Sequence, residues 1–121
     1  QSFHQLLKKR KGVIKSLLLN QRFVAGVGNW IADEVLFRAG IDPRRRASDL
    51  SADEVELLRT SLQAVIDFAV SVDADKRKFP SDWLFHRRWG KVEGMKTAEG
   101  APIEFIEIGG RTTAWVPSRQ R

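Results

Sequence analysis

A chain of 121 residues with 42% hydrophobic side chains has enough apolar material for one compact domain, or one domain with a small appendage, and is not a disordered tail. No apolar run approaches the roughly 18 residues that span a bilayer, and the absence of cysteine excludes disulfides and thiolate metal sites, so neither a membrane partner nor a metal or cofactor is expected. Lysine and arginine outnumber the acids 21 to 15, a net charge of +6, which suits a polyanionic partner; an ordinary solvated basic surface is the other reading.

In chain order, Ser2 followed by Gln5 is a capping-box pattern that opens a short helix over residues 2–10, and Gly12 breaks it. Residues 13–22 read as a second helix, with Val13, Ile14, Leu17 and Leu18 inward and Lys15 on its polar side. Two close glycines, Gly26 and Gly28, interrupt the helical pattern before a third helix over 29–39. That helix is apolar around most of its circumference and belongs in the core, with Gly40 as its left-handed stop. Ser51 and Glu54 form a second capping box, opening a helix to about residue 72 with a stripe of Val55, Leu58, Leu62, Val65, Ile66 and Ala69. After a turn at 79–82, an aromatic and basic stretch spans 83–89. Two β-type runs follow, 103–108 and 112–116, joined by Gly109, Gly110 and Arg111. Phe105 and Ile106 adjoin, which breaks the alternation and suggests a bulge or a twisted ribbon. A lone hairpin is marginal in water, so this one must lean on the helices, a third short strand or a partner. The expected fold is mainly α with a small antiparallel β-hairpin module, divided into a helical domain at 1–75 and a connector with hairpin at 76–121.

Two places could bind an anion. A glycine-containing turn feeds a helix at Gly28 and Asn29, where free N–H groups and the helix dipole favour a phosphate. Lys15, one helix earlier, could reach the same anion; the plainer reading is a helix–turn–helix corner capped by Asn29. Arg111, after two glycines at a hairpin turn, could clamp phosphates, or could be a solvated turn arginine. No catalytic constellation is visible. Asp33 and Glu34, in the first turns of the third helix, read as compensating its dipole rather than as acid and base.

The run from Ile14 to Pro43, including Lys15, Gly26, Val27, Gly28, Asn29, Ala32, Asp33, Glu34, Leu36, Phe37 and Gly40, resembles the helix–two-turn–helix signature of the formamidopyrimidine-DNA glycosylase and endonuclease VIII family. The resemblance resumes at Gly109, Gly110, Arg111, Thr112 and Thr113 and covers nearly the whole chain. It implies a helix–two-turn–helix bundle followed by a finger, in which Lys15 and Asn29 contact phosphates beside a lesion, where Gly28 would permit close backbone approach, and Arg111, at the finger tip, contacts the backbone near the flipped nucleotide. Most members hold the finger with four cysteines and a zinc ion. This chain resembles the zincless branch that includes the plant-type enzymes, most closely around Phe79, Pro80, Trp83, Leu84, Phe85, His86, Arg88, Trp89, Gly90 and Lys91.

The resemblance implies double-stranded damaged DNA as partner. The short connector before Trp83 favours formamidopyrimidines, other oxidised bases and abasic sites over 8-oxoguanine. The family's nucleophile is an N-terminal proline, followed by a glutamate, on a β-sandwich domain; it carries out glycosylase and lyase steps. Gln1 is not that proline, so the chain is expected to be the inactive DNA-binding part of an intracellular bifunctional repair enzyme. Its partner would be that N-terminal catalytic domain, and the face that meets it, if bare, favours a dimer. The alternatives are a stand-alone nucleic-acid-binding module on the same scaffold and a helical module that binds acidic proteins.

Overall fold

The computed structural model describes residues 3–20 and 27–121. The element order is α1 (Phe3–Lys8), α2 (Ile14–Leu18), α3 (Asn29–Ala39), α4 (Ala52–Ser71), β1 (Glu104–Ile108) and β2 (Arg111–Trp115), with short 3-10 turns at Ala47–Asp49, Lys76–Lys78, Leu84–Arg87 and Trp89–Lys91. The expected capping residue Ser2, and the end of the second helix at Gln21 and Arg22, lie outside the described residues, as does Gly26. Within them α2 ends at Leu18, with Leu19 as its C-cap and Asn20 closing a turn onto Leu17.

Helix α3 has the expected bounds. It stops because Gly40 takes the left-handed conformation (φ 73°), and the N–H groups of Gly40 and Ile41 close back on the last turn. Helix α4 also starts where its capping box predicts: the Ser51 hydroxyl accepts from the Glu54 N–H, and the Glu54 carboxylate accepts from the Ser51 N–H. Its stripe packs on α3. Leu7, Ile14, Leu18, Val27, Val35, Leu36, Leu58 and Val65 are fully enclosed there. Burial of that area is the main stabilising contribution, about 1.5–3 kcal/mol for each large apolar side chain.

The connector's aromatic residues join this helical core. Phe79, Trp83 and Phe85 are buried against Trp30 and Phe68, with ring centroids 5.3 Å apart for Trp30–Phe79, 4.9 Å for Trp30–Phe85 and 5.4 Å for Phe68–Trp83. A smaller cluster of Leu84, Ile103, Ala114 and Val116 lies under the hairpin, with Phe37, Met95 and Phe105 around it.

The two strands pair without a bulge, from Glu104 opposite Trp115 to Ile108 opposite Arg111. The turn is therefore two residues long, Gly109 and Gly110 (φ 58° and 77°), and Arg111 is the first residue of β2 rather than part of the turn. Two consecutive left-handed residues match the twist of a tight hairpin, which is why both are glycine. Phe105 and Ile106 are each half-buried, as in a ribbon covered in part on both faces. The hairpin leans on the helices: β2 packs against α3, and its turn lies over Ser16 of α2, whose hydroxyl would be 3.5 Å from a Cβ added at Gly109.

Candidate nucleic-acid interface

The N-terminal end of α3 carries the first two candidate residues. Gly28 is the N-cap, extended at φ −91°, and its carbonyl accepts the first helical N–H, from Ala32. Among the described residues nothing lies within 4 Å of a Cβ added to it, and the residue is exposed. Neither backbone conformation nor internal packing therefore calls for glycine there. Asn29 is not the cap. Its Nδ2 donates to the Thr112 carbonyl on β2 at 2.9 Å, while its Oδ1 is enclosed without a donor among the described residues. The N–H groups of the first helical turn have no intrahelical acceptor, and the N-cap residue supplies no side-chain one, so they suit an anion.

That bond brings the helix end beside Arg111. The Arg111 side chain is exposed, and its guanidinium has no hydrogen-bond or ion-pair partner among the described residues. Asn29 and Thr112, with Arg88, Trp89, Gly90 and Lys91, line an open cavity of about 470 Å³. A larger one, about 640 Å³, opens at the other end of α3 between Gly40, Leu57 and Arg119. It holds none of the candidate residues, so size does not decide the site.

Lys15 is not on a polar helix face. Its side chain is completely enclosed, with Nζ 2.5 Å from Asp33 Oδ1 and 2.8 Å from Thr113 Oγ1. Helix α2 is covered on one side by α3 and on another by the hairpin, so the Lys15 ammonium reaches a carboxylate rather than solvent. Burial, before any other cause, lowers the Lys15 pKa from the ordinary 10.5; Asp33 opposes this, and Arg88 and Arg111 add to it.

Asp33 and Glu34, read from sequence as dipole compensation, prove to be buried joints. Asp33 Oδ2 accepts from Arg88 Nε at 3.1 Å, Arg88 Nη2 at 2.8 Å and the backbone N–H of Ala114 at 3.0 Å, while Oδ1 takes Lys15. One carboxylate thus ties α2, the connector and β2 to α3. Glu34 turns to the connector, where its two oxygens accept the N–H groups of Leu84 (3.1 Å) and Phe85 (2.7 Å). Arg88 and Asp33 are the site residues that sequence reasoning missed. The signal that could have found them is the helix itself: carboxylates on a helix with no polar face must be buried and partnered.

The family model for the formamidopyrimidine-DNA glycosylase H2TH domain matches residues 1–81, and the formamidopyrimidine-DNA glycosylase-like C-terminal domain matches 83–117. The chain belongs to the formamidopyrimidine-DNA glycosylase family. A formamidopyrimidine-DNA glycosylase of Arabidopsis thaliana is 51% identical over 119 residues, covering 98% of this chain and 30% of that protein. Two solved complexes of the Lactococcus lactis enzyme, one with abasic-site DNA and one with FAPY-dG DNA, superpose with a TM-score of 0.82 at 31% identity, over 98% of this chain and 46% of theirs. The chain thus spans less than half the length of these relatives. Among the described residues no helix is long and apolar enough to cross a membrane, and no cluster of three potential metal-ligating residues occurs. The finger is held by Asp33, Asn29 and apolar packing.

Proposed function

We propose that this chain is the DNA-binding part of a bifunctional glycosylase/lyase that removes oxidised bases, and that it grips the lesion strand through phosphates at Gly28, Asn29 and Arg111. The observation that carries this reading is the Asn29–Thr112 bond, which sets an open helix N-terminus beside an unpartnered arginine. Two phosphate-binding elements from distant parts of the sequence become one surface. Gly28 adds room for close approach, since a side chain there would meet none of the described residues. The Lactococcus relatives bind abasic-site and FAPY-dG DNA, and these are the lesions proposed here. Chemistry on a base or on the sugar carbon beneath it requires the nucleotide to leave the stack, and contacts on flanking phosphates suit that step. The nucleophile, an N-terminal proline, and the following glutamate belong to a catalytic domain outside this sequence, which is the other proposed partner.

Fluorescence anisotropy on a duplex with a stable abasic-site analogue, against the intact duplex over a salt series, tests the proposal. Expected are tighter binding to the abasic duplex and a steep salt dependence. Arg111→Ala should reduce the slope of log affinity against log salt by about 0.9 for each phosphate that the arginine neutralises. Unchanged affinity and slope in Arg111→Ala would remove the finger from the interface.

A further inference from the structure

The buried cluster under this surface is out of charge balance. Lys15 and Arg88 are 0% and 5% exposed, and the carboxylate between them, Asp33, is 1% exposed. With Lys15 protonated, two cations share one anion. The charges that act on Lys15 are Asp33 on α3, Arg88 on the connector and Arg111 on β2, so the contributors other than Asp33 add positive charge. The α3 N-terminus above adds a further partial positive charge. Burying a charge without a counter-charge is costly, and interiors normally pair such groups.

We propose that Lys15 acts on DNA through its field rather than by contact: the Lys15–Asp33–Arg88 cluster keeps one positive charge in surplus beneath the Asn29–Thr112 rim, and a DNA phosphodiester seated at that rim is the counter-charge. The inference rests on the reading above and deepens it. The rim and the cluster share residues: Arg88 lines the cavity with Asn29 and Thr112, its Nη2 donates to both Asp33 Oδ2 and the Thr112 carbonyl (3.3 Å), and Lys15 donates to the neighbouring Thr113 hydroxyl. The rim thus shares Arg88 with the cluster, and Lys15, Asp33 and Thr113 behind it are buried. Through a protein interior a unit charge still acts strongly. Asp33 is the positioning residue: it holds the two cations in place while cancelling only one of them.

A residue that serves only the fold and one that serves DNA predict opposite outcomes for Lys15→Met, which keeps the stem and removes the charge. In the variant Asp33 retains Arg88 and the Ala114 N–H, a balanced pair. The melting temperature of the free protein should stay the same or rise. Affinity for the abasic-analogue duplex should fall about tenfold, the scale of one unit charge acting through protein. Thermal stabilisation by the duplex should shrink with it. Duplex and inorganic phosphate are run side by side, because both supply the same anion. Stabilisation of the unaltered protein by the duplex, diminished in Lys15→Met, supports the proposal; stabilisation by inorganic phosphate alone overturns its assignment to DNA. A lower melting temperature, failure to fold, or unchanged affinity in Lys15→Met overturns it as well. Arg111→Ala is measured in parallel: loss of binding there with no effect of Lys15→Met defeats this inference alone, whereas no effect of Arg111→Ala removes the finger from the interface, and with it the reading on which this inference rests.

Discussion

Asp33 and Glu34 are consecutive, both are buried, and they solve the same problem in opposite ways. Asp33 faces the hairpin and is met by two cations and one N–H. Glu34 faces the connector and is met by two backbone N–H groups in aromatic surroundings. On the first side, position is set by charge, and apolar burial is limited to a small cluster. On the second, Trp30, Phe68, Phe79, Trp83 and Phe85 provide extensive burial, and the carboxylate only pins the chain direction. Helix α3 thus has an apolar, closely packed side and a charged side, the one proposed to meet DNA. The two sides differ in what holds them: well-packed apolar groups can often replace a buried ion cluster at no loss of stability, so the charge on the hairpin side calls for a reason beyond stability, and DNA binding is the one proposed.

The largest effect should come from breaking the charged joint at its centre. Asp33→Ala leaves Lys15 and Arg88 buried together with no anion and frees the Ala114 N–H. Removing one member of a buried ion cluster in this way costs about 3–5 kcal/mol, a large part of the stability of a small domain. Thermal or urea melts should show it. The hairpin should loosen first, which amide exchange at Ala114 would report. Stability equal to that of the unaltered protein would mean that the cluster does not hold the finger.

How far the sequence goes depends on how local the cause is. Helices α3 and α4 are legible to within a residue, because Gly40, Ser51 and Glu54 act within one turn of where they stand. The two-glycine turn is equally local, although the sequence pattern alone puts Arg111 in the turn instead of in β2. Helical periodicity sets Lys15 on the wrong side because its partners, Asp33 and Thr113, are 18 and 98 residues away. Arg88 reads only as one of a basic pair, and its partner lies 55 residues back. Three other basic residues are likewise partnered: Arg44 with Asp42 and the Trp115 ring, Arg45 with Glu54, and Arg46 with the Lys11 carbonyl. A charge run shows that cations are present, and only the fold shows which of them face outward.

A smaller effect comes from pH, through Glu34. Burial, partly offset by the Phe85 and Leu84 N–H groups, raises the Glu34 pKa from 4.5 to about 7. Between these values the folded chain keeps the proton that the unfolded chain releases. The folded state is therefore favoured fully below about pH 4.5, and the advantage is lost as pH rises through 7. The shift corresponds to about 3 kcal/mol. The carboxylates of Asp42, Glu54 and Asp75, whose pKa values are lowered, change stability only at more acidic pH. Urea melts should thus show greater stability at pH 5 than at pH 8, and Glu34→Gln should flatten that difference. A pH-independent unaltered protein would show that the two N–H bonds hold Glu34 charged at both values.

The smallest effect on the fold should accompany a clear effect on binding, at Gly28. Its φ of −91° is open to any residue, and an added Cβ meets nothing among the described residues. Gly28→Ala should therefore leave the melting temperature unchanged or slightly raised, because alanine reduces the freedom of the unfolded chain. Gly110→Ala is the control: at φ 77° a side chain is strained wherever it points, at a cost of about 1 kcal/mol. If a phosphate approaches the α3 N-terminus as closely as proposed, the methyl group of Gly28→Ala occupies its place, and duplex affinity falls with stability intact. If affinity is unchanged, the phosphate sits farther out, toward Arg111 and Lys91, and the helix end contributes through its dipole alone. That outcome would keep the binding side of α3 and move its contact from backbone to side chains.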